Sequence, residues 1–426
     1  MGNVSSLRSP IPPRPLDRAT RCVRVVERLA ADAPPPALLD FGPEPVFAWE
    51  TEGLAIRAAG RIAGFDVASD ADVARLRGRL DSAGAPAPPA LPVWVGARTF
   101  DGAPGRDEWR GVPGSAFFLP AWLWARTPDG TWLVRHALRG EPLPPAPSAA
   151  PAARGRAITA PAVDVEPRAA YADWVTAATD AIEAGAFDKV VLARRVRVAG
   201  ARPSPGATWA RLDAHPGLVR FRLGWPGVGE LLGATPETLL RLDGDRVVTE
   251  ALAGTAPAAD AAALATSDKD LREHAAVVHG LRIALAATGL AAGITTDGPA
   301  PVTYGPIAHL RTVVRARLRG PSGFFAWLDQ LHPSPAIAGA PRDAALAFIR
   351  ATEPRHRGLY AGVVGVLDAE ARGHAVVALR SGLLEPDGAW LYAGAGIVRG
   401  SDPAREHEET ALKLRRMASA LAEVAP

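Results

Sequence analysis

The sequence reads as an α+β chain in which hairpin strands alternate with amphipathic helices. Pro-Asp-Gly turns at 128–130 and 386–388 and an Asp-Gly-Asp turn at 243–245 sit between short apolar runs, which is a hairpin signature. The segments opening at Tyr171, Ser267 and Asp402 read instead as helices, from apolar spacing and from capping residues.

The chain has 426 residues, long for one ordinary domain and short for three. It is 48% hydrophobic and 22% charged, a globular composition. A net charge of +3 with scattered arginines excludes a nucleic-acid footprint. One cysteine, Cys22, excludes an internal disulfide framework and fits a reducing, cytoplasmic setting. The N-terminus lacks an apolar signal-peptide core. Its MGNVSS matches the myristoylation pattern, which we read as chance because such short patterns recur freely. No run approaches the roughly 20 apolar residues that span a bilayer, so no membrane partner is expected.

Residues 1–20 are proline-rich and are expected to be a disordered tail. From 21 to 140 short apolar runs alternate with turns; Ala121–Ala125 and Thr131–Val134 flank Pro128-Asp129-Gly130 as a hairpin. Residues 141–165 are Pro/Ala-rich and read as a linker or surface loop. From 166 to 426 the patterns sharpen. Trp174, Ala178, Ala181 and Ile182 mark a helix that Gly185 ends. In FDKVVLARRVRV the strand period puts Val190, Leu192, Val196 and Val198 on one face and Lys189 on the other, where a lysine is ordinarily exposed. Leu231 to Ala234 is a strand broken at Thr235-Pro236, with Glu237 directly after the break. The next hairpin ends in Ala253-Gly254-Thr255, a small-residue turn that lets a ligand approach the backbone. Ser267 caps a helix with Asp270 three positions on. Leu271, Ala275, Val278, Leu281 and Leu285 are its expected buried stripe, and Glu273 lies in its first turns. His309 and Thr312 follow in HLRT, and His332 to Ala336 form a proline-stiffened loop. Arg380 ends the strand at 375–379.

The last strand closes in Gly394-Ala395-Gly396, and Asp402-Pro403 opens a helix carrying Glu406, Glu409 and Lys413 on one face. By itself that stripe is either a solvated face with an i, i+4 ion pair or part of a site for a metal and an anion. GAGIVRG is not a dinucleotide loop, because its third glycine is one position late. The chain also lacks a P-loop, a G-x-S-x-G and an H-E-x-x-H. What remains is carboxylates, lysine, arginine and small-residue turns, and oxygen ligands without sulfur favour a hard ion such as Mg²⁺.

Together the motifs FDKVVLAR, LLGATPE, ALAGT, SDKDLREH, HLRT, HPSPAIAGAP, GVVG, ALRSG, YAGAGIV and SDPAREHEETALKL, in this order from about Phe187 to Leu414, resemble the chorismate-utilising enzymes, and within them most the isochorismate synthase branch. The resemblance implies two large antiparallel sheets between helices, with 21–140 contributing strands to shared sheets and 166–426 the chorismate-binding catalytic region. It implies Lys189 as the base that activates water for attack at C2 and Glu237 as the acid that protonates the departing C4 hydroxyl. It places Mg²⁺ on Glu273 and Glu409, with Asp270 and Glu406 as outer carboxylates. It gives the substrate carboxylates to Lys413, Arg380 and the Gly394, Ala395 and Gly396 backbone, with Tyr360, Gly254 and Thr255 lining the site and His309 against the ring. Ala336 stands where amine-using and salicylate-forming relatives carry Thr, which favours water as nucleophile. Salicylate synthesis, anthranilate- or aminodeoxychorismate-type chemistry and a non-catalytic chorismate-binding protein are the alternatives. AGTAP departs from the Arg-Gly that often follows AGT. A monomer without a glutaminase subunit is expected, and the product's destination, menaquinone, siderophore or salicylate, is left open.

Overall fold

The computed structural model describes residues 20–86, 88, 91–147, 162–199, 203–212, 214–320 and 322–421. The tail expected at 1–20 lies outside them except for Thr20, as do 148–161 of the segment expected as a linker. The chain begins with β1 (Cys22–Leu29), β2 (Val46–Glu50), β3 (Ala55–Val67), α1 (Asp70–Arg77), β4 (Leu80–Gly84), β5 (Trp94–Arg98), β6 (Phe117–Thr127) and β7 (Gly130–Leu138). It continues with β8 (Ala162–Asp164), α2 (Arg168–Glu183), β9 (Lys189–Ala199), α3 (Pro205–Arg211), β10 (Val219–Trp225), β11 (Gly229–Thr235), β12 (Thr238–Asp243), β13 (Arg246–Pro257), α4 (Ala261–Leu264) and α5 (Asp268–Ala287). Last come β14 (Ala291–Tyr304), β15 (Ile307–Leu318), α6 (Phe324–Leu331), β16 (Gly339–Ala340), α7 (Arg342–Thr352), β17 (Val363–Leu367), β18 (Gly373–Val377), β19 (Ser381–Glu385), β20 (Gly388–Ile397) and α8 (Pro403–Leu421).

The architecture is α+β, with two long ladders. One runs β4–β1–β7–β6–β3–β2–β10–β11–β19–β20–β9, with β8 and β16 on the far edge of β9. The other runs β5–β17–β18–β12–β13–β15–β14. Among the described residues they meet where β5 runs beside β6, with Val95 opposite Phe118 and an isolated bridge between Arg98 and Ser115. Among the described residues every strand pairing is antiparallel except β1–β4. The β6–β7 hairpin turns where Pro128-Asp129-Gly130 predicts it, closing at Thr127 opposite Gly130. Part of the expected linker, Ala162–Asp164, is a strand paired to β9. Trp49, Trp94, Trp109 and Trp327 are fully buried between sheets and helices, each removing a large apolar surface from water.

Three facial assignments change. In α2 the buried stripe is Tyr171, Val175, Ala178 and Ile182. Trp174 sits at its margin, edge-on to Tyr171, because both stripes satisfy the helical period and the Tyr171 hydroxyl donates to Leu192 O across on β9. In α5 the stripe is His274, Val277, Leu281 and Leu285, with Ala275 exposed. The helix turns to bury His274, whose Nε2 lies 2.7 Å from Thr312 Oγ1. In β9 both faces are covered, so Lys189 is 1% exposed rather than a surface lysine. Burial of an ammonium requires a counter-charge, and Glu273 supplies it.

Candidate active site

A cleft of about 610 Å³, counting its open mouth, lies where the two ladders face each other. Its walls come from strands β9, β13, β15 and β20, the 236–237 break, helices α5 and α8, the loops at 336–337 and 357–361, and residues 379–380 just past β18. Of the residues singled out in the sequence, Glu237, Gly254, Thr255, Glu273, His309, Ala336, Tyr360, Arg380, Gly394, Gly396 and Lys413 line it.

Lys189 stands behind this wall at the start of β9, its Nζ 2.9 Å from Glu273 Oε1. The pair packs against the backbone of Gly396: a Cβ there would lie 2.3 Å from Glu273 Oε1 and 2.8 Å from Lys189 Cε. Gly396 therefore makes room for the buried ion pair in addition to presenting backbone to the cleft. Ala395 does not line the cleft. Strand alternation turns its side chain into the core.

Glu237 follows the Thr235-Pro236 break, fully buried, its N–H donating to Thr235 Oγ1 at 3.3 Å. Burial pushes its carboxyl up from 4.5 to about 7, although Arg380, Lys189 and Lys413 pull the other way. A carboxyl held near 7 is suited to giving or taking a proton at neutral pH. Glu273 behaves oppositely. Burial alone would raise it, but Lys189, then Lys413 and Lys269, hold it below the ordinary value.

Arg380 sits just past β18 with φ +50, a left-handed conformation unusual for a non-glycine residue. Burial lowers its guanidinium to about 10, so it is still a cation at pH 7. Its Nη2 lies 2.8 Å from His309 Nε2. A guanidinium only donates, so Nε2 is the acceptor and the ring proton is on Nδ1, where it donates to Gly254 O at 3.1 Å. Thr255 Oγ1 lies 3.2 Å from the same nitrogen. Burial, with Arg380 and Lys413 beside it, keeps His309 well below the usual imidazole range, so the ring is a neutral wall that orients Arg380. Gly254 can turn its carbonyl to the ring because it adopts φ +77. Tyr360 stacks on Tyr392 with centroids 5.1 Å apart, and burial pushes its phenol up to about 12.

Lys413 on α8 reaches the cleft, its Nζ donating to Gly394 O at 2.9 Å and pairing with Glu409 Oε1 at 2.5 Å. One turn earlier, buried Glu406 takes a hydrogen bond from Lys269 of α5 at 2.8 Å. The α8 stripe is thus turned inward, with Lys413 at the cleft and Glu406 buried, and is not a solvated face. Asp270 and Glu406 are both pushed up, first by burial, then by neighbouring carboxylates: Glu273 and Glu409 for Asp270, and Glu409 for Glu406. Among the described residues no three acidic, histidine or cysteine groups converge closely enough to enclose a metal ion, and Glu273, Glu406 and Glu409 each carry a lysine partner. The donor chemistry nevertheless fits a hard cation. All donors are oxygen, and the mutual repulsion of the four carboxylates is what a divalent ion relieves.

Sequence reasoning did not single out Val191, Leu252, Ile337, Arg357 and Leu379, which also line the cleft. The apolar ones read only as strand or loop interior. For Arg357 the i, i+4 spacing to Glu353 was the available signal.

Residues 68–422 match the chorismate binding enzyme family. The chain is 40% identical over 266 residues to the salicylate biosynthesis isochorismate synthase of Pseudomonas aeruginosa, an alignment covering 59% of this chain and 55% of that relative. It is 32% identical over 353 residues to the isochorismate synthase MenF of Bacillus subtilis, covering 78% and 74%. Among solved structures, the menaquinone-specific isochorismate synthase MenF of Escherichia coli superposes with a TM-score of 0.75 at 26% identity, covering 96% of each chain. Anthranilate synthase component I of Streptococcus pneumoniae, at 20% identity and a TM-score of 0.67, shares the fold. The chain belongs to the chorismate binding enzyme family.

Proposed function

We propose that this chain is an isochorismate synthase, a Mg²⁺-dependent isomerase that adds water at C2 of chorismate and expels the C4 hydroxyl. The observation that carries the reading is a cleft lined by Glu237, whose carboxyl is held near 7, and by Glu273, whose Oε1 fixes Lys189 Nζ at 2.9 Å directly behind the wall. Chorismate is a dianion, and Arg380, Lys413 and the backbone of Gly394 and Gly396 provide the donors that two carboxylates need. Lys189 in its neutral form takes a proton from the attacking water, and Glu237 in its acid form delivers one to the departing hydroxyl, so protons balance over the turnover. His309 holds Arg380 in place. Ala336 presents only a methyl group to the cleft and no hydroxyl to hold an amine. Glu273 and Glu409 would hold the Mg²⁺, with Asp270 and Glu406 behind them; the ion supplies charge neutralisation for a substrate carboxylate. The relatives' names support the same reaction.

The chain is read as acting in the cytoplasm, as a monomer, without a glutaminase subunit. No helix among the described residues is long and apolar enough to cross a membrane. The test is incubation with chorismate and Mg²⁺, with and without ammonium, and chromatography of the products. Isochorismate that accumulates independently of ammonium is expected. Salicylate with pyruvate, anthranilate or aminodeoxychorismate as main product would replace this reading, and binding without turnover would end it.

A further inference from the structure

Strand β9 is paired by β20 on one edge from its second residue onward, from Val190 opposite Ile397 to Ala199 opposite Gly388. Its other edge is covered in two pieces. Residues 338–340 cover the start, with Val191 N donating to Ala338 O at 2.9 Å and Lys189 opposite Ala340. β8 covers the end, from Asp164 opposite Val196 to Ala162 opposite Val198. Between them Val191 O and Ala193 N point outward, and among the described residues no strand pairs with them. An unpaired buried backbone group costs about as much as a lost hydrogen bond.

Two side chains fill the gap. Arg357 Nη2 donates to Val191 O at 2.7 Å, and Glu353 Oε1 accepts from Ala193 N at 2.8 Å. The two are bonded to each other, Arg357 Nε to Glu353 Oε2 at 2.8 Å. The guanidinium has a third attachment: Nη1 donates to Ile337 O at 2.9 Å. Its face is closed by the Phe100 ring, 4.4 Å away. It is thus tied at once to the strand that begins with Lys189 and to the loop that presents Ala336 and Ile337 to the cleft.

We propose that the Glu353–Arg357 ion pair is a positioning device that stands in for a missing strand rung and sets Lys189 and the Ala336–Ile337 wall at a fixed height relative to each other. Kinetically this rests on the isochorismate synthase reading; structurally it does not. Both are positioning residues: Arg357 borders the cleft, but its guanidinium is bonded to Glu353, Ile337 O and Val191 O, and Glu353 acts through Ala193 N. A lysine at 357 keeps the charge and loses the fork that reaches three acceptors. A glutamine at 353 keeps an acceptor for Ala193 N and loses the charge.

The test compares Arg357→Lys and Glu353→Gln with the wild-type full chain. It uses steady-state turnover of chorismate with Mg²⁺ and amide exchange followed by mass spectrometry. For Arg357→Lys we expect kcat to fall on the order of 10²-fold with KM within about threefold, the pattern of a misplaced reacting group. We also expect faster exchange in peptides spanning 188–194, with β10 and β11 unchanged. Glu353→Gln should lie between this variant and the wild type in both readouts. An Arg357→Lys enzyme with wild-type kcat would overturn the proposal. So would a loss fully accounted for by its unfolded fraction at the assay temperature, or exchange that rises evenly over the molecule. If wild-type protein does not turn chorismate over, the functional reading fails alone; unchanged exchange in 188–194 then overturns the bracing role and local acceleration sustains it.

Discussion

The burial that would fit Glu237 for its proposed role as an acid also costs stability. Its carboxyl titrates near 4.5 when free and about 7 in the folded chain, because burial disfavours the anion. Between those values the native state holds a proton that the unfolded chain has released, so stability falls as pH rises through the window. Glu237→Gln removes that titration. Its Tm should exceed that of the wild type at pH 8, and the gap should shrink toward pH 5; a gap independent of pH would contradict the buried-acid account. In its proposed role as general acid Glu237 must be protonated, so wild-type kcat/KM should fall as pH rises through about 7. In the glutamine variant kcat should drop by at least ~10²-fold and that limb should disappear. Lys189→Ala should lose at least ~10²-fold in kcat as well, and a near-normal rate would end its assignment as base. Gly396 is the more local test. Its alanine variant places a methyl group against Glu273 Oε1 and Lys189 Cε, so one of the pair must shift. Misplacement of this kind is expected to cost on the order of 10²-fold in kcat while far-ultraviolet circular dichroism stays that of the wild type.

At the scale of elements, α5 and α8 are joined by charge. Glu406 is 1% exposed and Lys269, its partner, is about a third exposed. Lys269→Met strands a buried carboxylate; after discounting for the lysine's exposure, we expect a loss of about 1–3 kcal/mol in urea unfolding. A variant as stable as the wild type would mean that Glu406 finds another partner or a proton. The same helices show what a sequence can and cannot convey. The Ser267 cap was legible because capping is local, and Ser267 Oγ does accept from Asp270 N at 3.3 Å. So was the shared face of Glu406, Glu409 and Lys413, which follows from the helical period alone. The face that α5 buries was not, because His274 is drawn inward by a threonine 38 residues away, and no periodicity encodes such a partner. Lys189 was legible as a candidate through its motif but not as a buried group, since alternation along β9 does not reveal that both faces are covered. Arg357 was missed for the same reason: its acceptors are backbone carbonyls at 191 and 337, distant in sequence.

At the scale of the whole molecule, residues 20–147 bring no side chain to the cleft among those described, yet the sheets that shape it run through them. β2 lies between β3 and β10, with Phe221 opposite Trp49 and Leu223 opposite Phe47. β5 flanks β17 over five residues. Arg195 on β9 is clamped by Glu108 from the N-terminal part and by Glu166 just after β8, both at 2.9 Å. The Trp109 ring packs on Tyr392 with centroids 5.7 Å apart, and Tyr392 in turn stacks on Tyr360 at the cleft. Removing residues 20–147 would leave β10 and β17 with bare edges and uncover the hydrophobic faces that Trp49 and Trp94 bury, a combination that favours edge-to-edge association. Pairing this extensive couples the two parts into one cooperative unit. Unfolding by calorimetry should therefore show a single transition whose calorimetric and van't Hoff enthalpies agree, and a chain beginning at 162 should be recovered as aggregate. Two resolved transitions, or a monomeric 162–421 fragment with native circular dichroism, would show instead that the part carrying the cleft folds alone and that the shared ladders add only area.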